Sequence, residues 1–131
     1  MCLSVKDDAT IQVAKTDITV YKVLRKADNC SPLRGFRYAP NSLYRLRKAL
    51  HITQNFNYAN TVDEGFHSFA IKRQAFDYIR FWGDSDFRKV VAMTIPKGAR
   101  YIEGTYGFQK NISMVSTSLR TASLSPIKEK E

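Results

Sequence analysis

The sequence predicts an α+β fold in a single domain, and three observations carry that prediction. Two segments, Thr16–Arg25 and Asp86–Pro96, alternate their side chains with the two-residue period of a strand. Between them, residues 69–82 repeat their apolar side chains at helical spacing. The other links are short and punctuated by Gly, Pro, Asn and Ser, which favours antiparallel pairing over long crossovers. The expected architecture is a mostly antiparallel sheet packed by one main amphipathic helix. Its globular body covers residues 1–124, with a flexible tail over 125–131.

The elements follow in chain order. In Thr16–Arg25, Ile18, Val20 and Lys22 share one face and Thr19, Tyr21 and Val23 the other, with β-branched and aromatic residues dominant. "KADNCSP" is a turn. "LRGFRY" reads as a short strand that projects Arg34, Phe36 and Tyr38 together and ends at Pro40. "NSLYRLRKAL" fits a twisted strand or a helix capped by Asn41, and the spacing of Leu43, Leu46, Ala49 and Leu50 favours the helix. The Asn-rich residues 51–65 read as a long loop. Ser68 is expected to cap the main helix, whose stripe is Ile71, Ala75, Tyr78, Ile79 and Trp82, and Gly83 to end it. Asp86–Pro96 is apolar on both faces, the mark of a central strand. "PKGA" is a turn, "RYIEGTYGF" an extended piece broken at Gly104 and Gly107, and "NISMVSTSLRTASLS" one or two last strands.

Composition narrows the function classes. No apolar run approaches a membrane span, and the start of the chain carries acids where a signal peptide needs an apolar segment, so a cytoplasmic location is expected. Cys2 and Cys30 are expected as free thiols, and His51 and His67 lack metal-type spacing, so no metal or cofactor is implied. The net charge of +9 is regional: Lys22–His51 holds eight Lys or Arg against one acid, Asp28, whereas residues 52–96 cancel. Such a local excess attracts nucleic acid, nucleotides or acidic proteins.

The first candidate site lies in that excess. Arg34, Arg37, Arg45, Arg47 and Lys48 supply cations for phosphate, and Phe36, Tyr38 and Tyr44 supply rings on which a base can stack. The same residues also fit a plain role, with rings in the core and arginine stems lying over it. A second candidate, "TVDEGFHSF", groups Asp63, Glu64, His67 and Ser68 near a helix start. It invites a hydrolase reading but lacks a nucleophile elbow of the Gly-x-Ser-x-Gly kind. Glu103 is the lone carboxylate between Asp86 and Glu129 and the other catalytic candidate.

Taken in order, "MCL", "DITVYKVLR", "EGFHSF" and "IPKGARYIEGTYG" before the Ser-rich Ser113–Ser118 resemble small uncharacterised proteins encoded by bacteriophages and prophages, over about residues 1–120. That resemblance implies a setting, the phage-infected bacterial cell or the virion, and no assigned activity. A second likeness is to ADP-ribosyltransferases. It implies a basic residue on an early strand (Lys22 or Arg25), a serine on a middle strand (Ser68 or Ser116) and a late catalytic Glu. Glu103 is the nearest match, although it precedes the Ser116–Ser118 run. The leading expectation is a non-enzymatic protein that holds a nucleotide or nucleic acid on its basic-aromatic stretch. The alternatives are a transferase- or hydrolase-type enzyme using His67 or Glu103, possibly inactive, and a virion or host-interaction component with an acidic protein partner.

Overall fold

The computed structural model describes residues 3–32, 35–56, 59–83, 86–106 and 111–130. They form one domain, a mostly antiparallel sheet carrying one helix. The strands are β1 (Leu3–Val5), β2 (Gln12–Val13), β3 (Ile18–Arg25), β4 (Leu43–Arg45), β5 (Asn60–Val62), β6 (Phe66–Phe69), β7 (Arg88–Ile95), β8 (Arg100–Tyr106), β9 (Asn111–Ser116) and β10 (Ser118–Thr121), with α1 (Lys72–Trp82) between β6 and β7. Their order is β4-β10-β7-β3-β6-β9-β8-β1-β5, with β2 paired on β8.

One residue bends this sheet. β9 and β10 are separated only by Thr117, yet β9 lies between β6 and β8 while β10 lies between β7 and β4. The path β10-β7-β3-β6-β9 therefore closes on itself through a strand that turns a corner. Thr117 pins that corner: its amide donates to the Arg100 carbonyl, and its hydroxyl accepts from the Arg100 amide at 3.1 Å. The inner face of the ring holds the main core, with Val20, Leu24, Val91, Met93, Ile95 and Leu119 all buried. α1 covers the outer face of β3, β6 and β7 through Ala75, Tyr78 and Ile79 against Val23, Phe69 and Val90. A third cluster joins Leu3, Val5, Val62, Ile102 and Val115 to Leu50.

β7 stands where its pattern puts it, and α1 starts at Lys72, three residues later than predicted, with Ala75, Tyr78 and Ile79 of its stripe buried and Ile71 and Trp82 exposed. β7 is flanked by β3 and β10, as a strand apolar on both faces must be. α1 ends at Gly83, whose φ of 71° is the left-handed conformation of a helix stop.

Five expectations fail for physical reasons. The described residues 35–38 of "LRGFRY" form no strand, only an isolated bridge from Arg37 to Cys30, because Gly35 at a φ of 67° turns the backbone out of the extended region. Residues 41–50 contain no helix: Leu43–Arg45 is strand β4, pairing Tyr44 with Leu119, and Leu43 stays exposed rather than joining a helical stripe. Ser68 does not cap α1; it is the third residue of β6, and Ile71 precedes the helix without a side-chain cap. The expected loop over 51–65 includes β5, whose Val62 is fully buried against β1. "RYIEGTY" is not broken at Gly104. β8 runs through it because the missing side chain leaves room for the Ser4 carbonyl of the neighbouring β1. Gly107 lies outside the described residues.

Residues 122–130 have no regular structure, yet they are anchored. The Ile127 amide donates to the Val90 carbonyl at 3.0 Å, and Glu129 accepts from Arg80 at 2.5 Å. Among the described residues no helix is long and apolar enough to cross a membrane.

Candidate functional site

A cleft of about 580 Å³ opens where β3 and β6 part. Those strands pair at Tyr21 and Phe69, and the antiparallel register brings Lys22 level with Ser68 on the ring's inner face. Past that point the strands separate. The Lys22 ammonium reaches across the gap and donates to the His67 backbone carbonyl, an acceptor that a continued ladder would have satisfied with an amide. The cleft is thus a wedge in the sheet with a lysine at its apex.

Residues 31–32 and 36–48 contribute one wall and bring most of the predicted basic-aromatic set to it. Phe36, Tyr38, Tyr44, Arg45, Arg47 and Lys48 all line the cleft. Arg37 does not. Its backbone bridges to Cys30, a buried free thiol, and its side chain is exposed outside the cleft. Arg34 and Cys2 fall outside the described residues. The rings form one edge-to-face cluster: Phe36 lies 4.9 Å from Tyr38 and 5.5 Å from Tyr44, and Phe66 of β6 joins at 6.2 Å. They are not equally available. Tyr38 is sealed at 3% exposure, and burial, with the Tyr44 phenol as a second cause, holds its hydroxyl protonated well above the usual tyrosine range. Tyr44 is half-buried, and its hydroxyl accepts from the Ala39 amide at 2.7 Å. Phe36, 43% exposed, offers the open ring face.

The cations of the rim differ from those elsewhere. Lys48 stands 3.6 Å from Glu64 in an exposed pair. Arg45 and Arg47 line the cleft with no carboxylate in the ion pairs of the described residues. Deeper in, Lys22 is 9% exposed, has no carboxylate partner there, and holds its ammonium 5.5 Å from the Tyr38 ring centroid. Removal from water lowers its pKa to about 8. Beside it, the Ser68 hydroxyl is buried without a hydrogen-bond partner. Neither residue was placed in the predicted binding set. The signal was nonetheless present: a lysine on an otherwise apolar face, between Val20 and Leu24.

The catalytic candidates separate. His67 lines the cleft, and its Nδ1 lies 3.2 Å from the Gly65 carbonyl. Glu64 reaches the rim. Glu103 sits exposed on β8 opposite Met114, outside the cleft lining. Arg25 pairs with Asp28 at 2.9 Å, away from the cleft, and Ser116 is buried with its hydroxyl donating to the Ser118 carbonyl at 2.9 Å. Gly65 shapes the approach to β6: its φ of 132° and its packing on Val115 exclude any side chain. Comparison with protein-family models, curated proteins and solved structures gives no match, so the functional reading rests on this geometry.

Proposed function

We propose that the chain is a binding protein that holds a single phosphate-bearing nucleotide in the β3–β6 cleft. The observation that carries this is the convergence of one open ring, Phe36, with Arg45 and Arg47 on one cavity wall. The base lies against Phe36, and the phosphates meet the two arginines at the rim. A cavity of about 580 Å³ has the size of a small-ligand site. A nucleic-acid strand is the weaker fit, because successive bases need successive platforms and Tyr38 and Tyr44 already pack on each other at 5.2 Å. In the phage-infected cell that the sequence resemblance points to, such a protein would sequester or sense a nucleotide.

The test is fluorescence anisotropy with N-methylanthraniloyl-ADP and, separately, a labelled 12-mer of single-stranded DNA. The nucleotide is expected to bind, to weaken as salt rises, and to lose at least about tenfold in affinity in Arg45→Glu/Arg47→Glu. Binding that ignores both salt and the double charge reversal overturns the proposal, and an oligonucleotide that binds far tighter than the nucleotide redirects it to nucleic acid.

One observation favours a second reading, a transferase-like α+β protein with altered or lost activity. Lys22 and Ser68, the basic and serine positions implied by the likeness to ADP-ribosyltransferases, stand side by side in the cleft, while Glu103 stands outside it. NAD turnover that disappears in Lys22→Met would favour this reading, and turnover that survives both Glu103→Gln and His67→Ala would end it.

A further inference from the structure

Lys22 carries more than a binding role requires. An amine attacks a carbonyl only when neutral, and a lysine becomes neutral near physiological pH when it is desolvated and left without a counter-ion. Both conditions are met. The residue is nine-tenths buried, and its neighbours are the His67 carbonyl and the face of Tyr38 rather than a carboxylate. The titratable and charged groups around it are Tyr38, Tyr44, Arg45, Arg47 and Lys48 on one wall, His67 and Glu64 on the approach to β6, Tyr78 on α1 and Tyr106 on β8. Of these only Glu64 is an acid, and it is exposed at the rim beside Lys48.

We propose that Lys22 is a nucleophilic amine that forms an imine with a small aldehyde entering the cleft, with the Ser68 hydroxyl beside it to hydrogen-bond the reacting oxygen. The ammonium first loses a proton to solvent. The amine nitrogen then bonds to the carbonyl carbon, giving a carbinolamine. Loss of water from that adduct leaves a C=N bond, with no change of oxidation state. The Ser68 hydroxyl is buried, unpartnered and level with Lys22, so the carbinolamine oxygen would supply the partner it lacks. Ser68 acts here as a positioning residue. An aldehyde that also carries phosphate is the preferred class, a preference that rests on the rim reading of Arg45 and Arg47.

The experiment treats the full chain with a substoichiometric amount of pyridoxal 5′-phosphate, reduces the product with borohydride and locates the label by peptide mass spectrometry. A pKa of about 8 against the ordinary 10.5 gives Lys22 about 300 times more neutral amine than a solvated lysine at pH 7. Lys22 is therefore expected to label at least about tenfold faster than Lys48, half-maximally near pH 8. Ser68→Ala slows labelling without moving that midpoint, and Lys22→Arg removes the label from this site. Label spread over surface lysines, or absent from Lys22 in the unsubstituted chain, overturns the proposal. 5′-Deoxypyridoxal, which lacks the phosphate and has no 5′-hydroxyl to close on its aldehyde, separates the two readings. It labels Lys22 more weakly if the rim holds phosphate and equally if it does not, so failure of the rim is seen apart from failure of the amine.

Discussion

Arg80 and Lys22 are both cations set against the same sheet, and the protein surrounds them in opposite ways. Arg80, on the solvent side of α1, is held between Asp77 and Glu129, and those hydrogen bonds keep its guanidinium firmly charged. Lys22, at the apex of the cleft, has a carbonyl and a ring for company, and burial makes its charge easier to lose. The aromatic clusters beside them differ in the same sense. Phe69 and Tyr78 are buried under α1 and, with the half-buried Tyr106, reach the cleft lining from that side, whereas Phe36 at the rim is 43% exposed. One side of the molecule satisfies its groups internally. The other leaves a charge, a hydroxyl and a ring for something else to satisfy.

The strongest way to break this contrast is to deform the cleft's backbone. Gly65→Ala puts a methyl group into Val115 at a φ that alanine avoids. It is expected to cost about 4 kcal/mol and to abolish nucleotide binding, measured by urea unfolding and anisotropy. A loss under about 1 kcal/mol would mean that β6 is free to move and that the wedge is not a fixed feature.

Next comes the titration of Lys22. Its folded value, about 8, lies below the ordinary 10.5. The unfolded chain therefore holds this proton up to about pH 10.5, while the folded chain releases it from about pH 8. Stability contributed by this group rises between those limits and carries a constant cost below them. The amount is about 3 kcal/mol, and it is read as the difference between the unsubstituted chain and Lys22→Met across pH 7–10.5. Parallel curves for the two proteins would contradict the buried, uncompensated charge.

Two smaller effects follow, one on each side. Arg45→Glu/Arg47→Glu is expected to weaken nucleotide binding about tenfold or more while moving the melting temperature little, because neither arginine is ion-paired among the described residues. Smallest is Glu129→Gln, which loosens one of the two carboxylate partners of Arg80. Faster hydrogen exchange at the Ile127 amide is expected, with ligand affinity unchanged. A change in affinity would mean that the helix side and the cleft are coupled.

Much of this was legible from pattern, and the misses share a cause. Thr16–Arg25, Asp86–Pro96 and the helix declared themselves because long periodic runs average over many side chains. β1, β4 and β5, each three residues long, did not, because their burial comes from partners remote in the chain: β1 pairs Val62 to Leu3, and β4 pairs Leu119 to Tyr44. The same distance hid the site. The rings and arginines of residues 36–48 were visible as composition. That Lys22 and Ser68 face each other depends on a strand pairing 48 residues apart, which no local spacing encodes.

The central claim, that the cleft and not the helix side receives the ligand, is tested most directly by following backbone amides by NMR as ADP is added. Saturable shifts concentrated at Phe36, Arg45, Gly65 and Phe66, with Arg80 and Ile127 unmoved, are the predicted result. Shifts that fail to saturate, or that gather on α1 and the C-terminal segment, would contradict it.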